Sequence, residues 1–190
     1  MPNSFKTLED IKDQGFVGFI KVSELIEDSS IIPHEPGVYM VLYSKTNEPT
    51  FLDKGTGGFF NGTDPNMPVP YLKQKWVTDT NVVYIGKAGG NGNKATLSKR
   101  LRMYLRFGQG KPVGHYGGRL IWQIENSGEL LFCWKTMMSG EPKNVEAELR
   151  KILSGAGREK MKQDYNELER VLGGPGASEQ AAKAIVEMMK

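Results

Sequence analysis

The stretch Val82-Val83-Tyr84-Ile85-Gly86-Lys87-Ala88 decides how the chain reads. Val82 to Ile85 are β-branched or aromatic, the composition of a buried strand, and Gly86 is expected to end it. Gly89-Gly90-Asn91-Gly92-Asn93 follows as a turn whose residues tolerate positive φ. Thr96 or Ser98 can then cap a helix through Leu97, Arg100, Leu101, Tyr104 and Leu105. The three leucines share one face, with Arg100 and Tyr104 together beside it. A strand bearing Tyr84 and Lys87 thus meets a helix bearing Arg100 and Tyr104, and the expected product is a wet cationic and phenolic cluster.

Upstream, Pro33 and Pro36 mark a turn, and Gly37 to Ser44 alternates as a first strand with Tyr39, Val41 and Tyr43 on one face. Residues 45–79 are an insertion rich in Gly and Pro. Its aromatics Phe51, Phe59, Phe60, Tyr71 and Trp76 predict an ordered flap beside the sheet, either shaping a substrate or purely structural. Residues 1–30 predict one or two short helices capped by Ser4 or Thr7 and by Ser23, interrupted at Gly15 and Gly18.

Downstream, Gly108 to Gly118 is a glycine-rich loop containing His115 and leading to Arg119. Leu120–Ile124 and Leu130–Lys135 predict a hairpin, with a short helix for the first run as the alternative. Pro142 can open a helix burying Val145, Leu149, Ile152 and Leu153, and two more amphipathic helices fill the tail. The expected fold is α/β (α+β): a small, mainly antiparallel, three-stranded-type sheet flanked by helices. It forms one domain over 1–190, with a core at 35–155 and a helical extension at 156–190 that could cover the core or form an oligomer contact.

A hydrophobic content of 38% and a charged content of 25% fit a soluble globular protein. The single cysteine, Cys133, excludes an internal disulfide and suits a reducing compartment. Without a signal-like start or a membrane-length apolar run, the expected location is cytoplasmic and no membrane partner is expected. Between Thr80 and Ile124 there is no Asp or Glu, while Lys87, Lys94, Lys99, Arg100, Arg102, Arg106, Lys111 and Arg119 all occur. Folded onto one face, that stretch would attract phosphate. Lys94, Lys99, Arg102, Arg106, His115 and Arg119 are therefore the expected nucleic-acid contacts.

Phosphodiester hydrolysis needs a nucleophilic water, a stabilised phosphate and help for the leaving oxygen. Arg100 offers an always-charged donor fork for the phosphate. Tyr39 or Tyr84 could position or deprotonate the water, Lys87 would assist, and Tyr104 would orient Arg100 or touch the backbone.

Gly37-Val38-Tyr39, Tyr84-Ile85-Gly86-Lys87 and Leu97-Ser98-Lys99-Arg100-Leu101-Arg102-Met103-Tyr104 together resemble the GIY-YIG nuclease superfamily. The likeness is strongest to the incision domain of bacterial excision-repair nucleases, although the first two motifs normally lie much closer together. The resemblance implies a site of Tyr39, Tyr84, Lys87, Arg100 and Tyr104, with Gly37 and Gly86 as structural motif positions. It also implies one Mg²⁺ or Mn²⁺ on a glutamate of a later helix, Glu146 or Glu148, the spacing to Leu149 favouring Glu146. The implied activity is metal-dependent cleavage of DNA. The alternative is a catalytically silent nucleic-acid-binding or partner-binding module on the same fold.

Two other chemistries fit poorly. Gly90-Asn91-Gly92-Asn93-Lys94-Ala95 loosely matches a dinucleotide loop, but no acidic residue follows before Glu125. Two histidines, His34 and His115, and one cysteine are too few for an ordinary zinc site.

Overall fold

The computed structural model describes residue 5 and residues 7–78, 80–89, 94–137, 142–147 and 149. All belong to one compact unit that ends at Leu153. The extension expected over 156–190, its helices and the candidate Glu148 lie outside the described residues.

Strands β1 (Val17–Lys21), β2 (Gly37–Leu42), β3 (Val82–Ala88) and β4 (Leu131–Thr136) form one antiparallel sheet in the order β1-β4-β2-β3. Every residue of the central strand β2 is buried. Its alternation divides the core as its sequence predicts. Tyr39, Val41 and Tyr43 enter an upper cluster with Leu97, Leu101, Tyr104 and Trp122, while Val38, Met40 and Leu42 enter a lower one with Ile11, Ile85 and Cys133. Each large apolar side chain buried this way is worth about 1.5–3 kcal/mol.

The sheet has four strands rather than three. Residues 1–30 do form helices, α1 (Leu8–Asp13) and α2 (Val22–Glu27), but β1 lies between them. Thr7 closes a capping box with Asp10 at the start of α1, whereas Ser23 caps nothing, since α2 starts after Lys21 without a side-chain cap. Gly18, the supposed helix breaker, sits at φ 100° where the β1–β4 register shifts, with the Trp134 ring 3.0–3.1 Å from where a Cβ would stand. β3 also outruns its expected end at Gly86, since Lys87 and Ala88 pair with Val38 and Gly37.

The predicted hairpin does not form. Tyr116–Gln123 is a 3-10 segment, the helical alternative, and only the second apolar run is a strand. β1 and β2 occupy both edges of β4, so Leu120–Ile124 cannot pair with it as a hairpin partner.

The flap is held in place. It carries the helix α3 (Val69–Lys75) with Leu72 buried, and Trp76 meets Tyr43 edge-on at 5.3 Å. Phe51 bridges to Ile124, and the Thr56 amide donates to the Trp122 carbonyl. Buried Gln123 does most of the fastening. Its Oε1 accepts from the Met67 amide, and its Nε2 donates to the Leu52 and Met67 carbonyls.

Candidate active site

Helix α4 (Leu97–Gly108) lies over the upper face of the sheet, started by Thr96, whose hydroxyl accepts from the Lys99 amide. Leu97, Leu101 and Leu105 bury its inner stripe. That places Tyr104 fully inside and Arg100 half-exposed, one turn earlier. Tyr84 and Gly86 of β3 are paired with Val41 and Tyr39 of β2, and cross-strand partners share a face. Three phenols therefore meet under α4, with ring centroids 6.1 Å apart for Tyr39 and Tyr84, 6.3 Å for Tyr39 and Tyr104, and 5.4 Å for Tyr84 and Tyr104.

Two glycines make room for them. A side chain at Gly86 would run into the Tyr39 ring, and one at Gly118 into the Tyr104 ring and hydroxyl. Tyr104 donates to the Gly118 carbonyl at 2.8 Å, which fixes its ring. Gly37 is needed for another reason, because a Cβ there would meet the Lys135 carbonyl and Leu97.

His115 completes the cluster from the glycine-rich loop. Expected at a nucleic-acid surface, it is 1% exposed, so its place is inside. Its ring stacks on Tyr104 at 3.9 Å and 8°, and its Nε2 lies 3.4 Å from the Tyr39 hydroxyl. Burial, and next the positive charge of Arg100, push its pKa down to about 3, so it is neutral at physiological pH. Burial likewise drives the Tyr39 and Tyr104 hydroxyls well above the usual tyrosine range. Neighbouring phenols add to this, while Arg100 opposes it in both. Among the described residues, no carboxylate lies within ion-pair reach of Arg100.

The remaining two members of the predicted set lie elsewhere. Lys87 pairs with Val38 and so belongs to the lower face, where its ammonium stands 3.5 Å from the Glu146 carboxylate. Residues 142–147 and 149 are helical, and Val145 and Leu149 pack in the lower cluster with Val38, Ile85 and Cys133. Strand parity sends the Tyr84 and Lys87 side chains to opposite faces of β3, an edge strand, and the apolar residues flanking Glu146 pack on the lower face.

The cations expected to meet nucleic acid are mostly on the outside. Lys94, Lys99, Arg102 and Arg106 are exposed, and the last three line the solvent side of α4 at helical spacing. Arg119 is half-buried, and its guanidinium approaches the Met67 sulfur of the flap at 3.8 Å. Reading the sequence did not single out Gln123 or Gly118. A lone amide inside the apolar run Leu120–Ile124 was the available signal for the first.

Among the described residues no three His, Cys, Asp or Glu side chains gather as a metal cluster. A hard cation that takes one carboxylate with phosphate and water needs none. No described helix is long and apolar enough to cross a membrane. No family model, curated protein or solved structure matches the chain.

Proposed function

We propose that the protein is a metal-dependent endonuclease that hydrolyses phosphodiester bonds in DNA, working at the Arg100 end of α4 in the manner of the GIY-YIG nucleases it resembles. The observation that carries this reading is Arg100 itself: a guanidinium set among buried phenols with no carboxylate in reach among the described residues. Such a fork is left to receive an anion, and its planar donors match a phosphate. Tyr39 and Tyr104 hold their protons tightly, so they orient rather than accept. Tyr84, less buried than either, is the phenol left to face the attacking water. The exposed cations of α4 would track the backbone on either side of the cut bond.

Glu146, 16% exposed and beside a cation, is a carboxylate that would hold Mg²⁺ or Mn²⁺ with phosphate and water. The bound ion would neutralise developing charge and lower the pKa of a water. Lys87, at 3.5 Å, would then be freed to reach phosphate.

The second reading, a catalytically silent nucleic-acid-binding module, is favoured by that same pair, since Glu146 is held by Lys87 across the sheet from Tyr39. Incubating plasmid DNA and RNA with the protein in Mg²⁺, Mn²⁺ or chelator separates the two. Metal-dependent nicking that disappears in Arg100→Ala and Tyr84→Phe supports the enzyme. Retention of DNA without cleavage under every metal condition supports the module.

A further inference from the structure

We propose that His115 is a positioning residue locked as the neutral Nε2–H tautomer, donating to the Tyr39 hydroxyl and serving neither as a general base nor as a phosphate contact. Its location stands on geometry alone, whereas its consequence for cleavage rests on the endonuclease reading.

The tautomer follows from where the two ring nitrogens lie. Nε2 faces the Tyr39 oxygen at 3.4 Å. Nδ1 is buried with no partner at hydrogen-bonding geometry, its own backbone being the least of the influences on the ring's pKa. A neutral imidazole carries one N–H and one bare lone pair. A proton on Nδ1 would bury an unmatched donor, the rarer and costlier defect. Placed on Nε2, the proton is used, and only a lone pair goes unmatched.

A half-turn of the ring would put carbons, not the other nitrogen, at these two positions. The imidazole lies flat on Tyr104, whose hydroxyl is tied to Gly118, the residue that closes the same loop. The groups facing the ring are Tyr39 from β2, Tyr104 and Arg100 from α4, and none is an acid that could hold an imidazolium. Arg100 disfavours a second positive charge outright. His115 therefore stays uncharged where an exposed histidine would switch. With the Tyr39 oxygen accepting from His115, the proton of that hydroxyl is left to point toward Tyr84, whose hydrogen bonding with Tyr39 opposes ionisation of the latter.

The chain holds only two histidines, and exposed His34 is an internal reference. The test is long-range ¹H–¹⁵N NMR of ¹⁵N-histidine-labelled full-length protein from about pH 5 to about pH 8. His115 is expected to stay neutral and Nε2-protonated throughout, with its Nε2 shift moving in Tyr39→Phe. A protonation midpoint inside that range, or a proton on Nδ1, overturns the proposal. In cleavage assays, His115→Phe keeps the stack but loses the donor. It is expected to lower kcat roughly tenfold to a hundredfold with KM held, and His115→Gln should recover part of the loss. Wild-type turnover by His115→Phe also overturns the proposal. If wild-type protein cuts nothing, the endonuclease reading fails, and the NMR result still decides the role of His115.

Discussion

Gly86 stands directly across from Tyr39 in the β2–β3 pairing, and the Tyr39 ring occupies the space that any side chain at 86 would need. The two motif residues are thus one packing unit. Gly86→Ala is expected to push Tyr39 off its rotamer and destabilise the fold by about 1–3 kcal/mol. Urea denaturation measures the loss, and near-ultraviolet circular dichroism should report the disturbed phenols. A variant as stable as wild type would mean that the ring moves aside freely.

Arg100 is half-exposed and holds no carboxylate among the described residues, so its removal should leave the fold nearly intact. Arg100→Ala is expected to lower cleavage by about 10²- to 10³-fold, with a change in stability of under about 1 kcal/mol. Arg100→Lys should recover little, because a point charge lacks the planar fork. Rates under saturating metal, read beside melting curves, decide it.

His115 makes stability depend on pH. Its folded pKa of about 3 lies below the unfolded value of 6.5, so protons favour the unfolded chain. The stabilisation is full above about pH 6.5 and fades as pH falls toward the folded pKa, reaching a loss of about 2 kcal/mol at about pH 5. Unfolding free energies from urea denaturation at the two ends of that window should separate for wild type. For His115→Phe they should separate by about 2 kcal/mol less.

Burial raises the Cys133 thiol to about 12, which leaves almost no thiolate at neutral pH. A disulfide reagent should label the native protein only at its opening rate and label the unfolded protein at once. Rapid native labelling would place Cys133 nearer solvent than its burial in the sheet implies.

Phe59 precedes and Phe60 opens the turn Phe60-Asn61-Gly62-Thr63, where Asn61 and Gly62 both take positive φ, and the two rings are 56% and 36% exposed. Exposed Arg106 and Lys111 lie at the α4 end to which the Gly58 amide is tied. Rings beside cations suit stacking on nucleic-acid bases, worth about 1–3 kcal/mol per base. Alanine at both positions is therefore expected to weaken DNA binding about tenfold or more without changing the melting temperature. Fluorescence anisotropy with a labelled oligonucleotide provides the measurement.

The sequence carries the two faces of β2 and the stripe of α4 openly, because burial on a strand or helix leaves a period of two or of three to four. Leu97, Leu101 and Leu105 were legible for that reason, and so was the approach of the Tyr84 strand to the Tyr104 helix, whereas only the resemblance put Tyr39 with them. β1 was not, because Gly18 and Phe19 adopt positive φ at an irregular pairing and erase the alternation. The 3-10 segment was ambiguous because Ile121, Trp122 and Ile124 are all buried, so neither period survives. The separation of Lys87 from Tyr84 follows from strand parity, three residues apart being opposite faces, yet a motif written as a line of letters hides it. Nothing local marks His115 as interior. Its partners Tyr39 and Tyr104 come from distant segments, and only tertiary packing strips it of water.

The grip of Gln123 on Leu52 and Met67 has a mechanical corollary. Two points of the excursion between β2 and β3, Leu52 and Met67, are moored to one amide of the 3-10 segment. It cannot swing like a lid without first breaking those three part-buried bonds. A molecule that meets this flap finds a standing wall, and selectivity there is a question of shape settled before arrival.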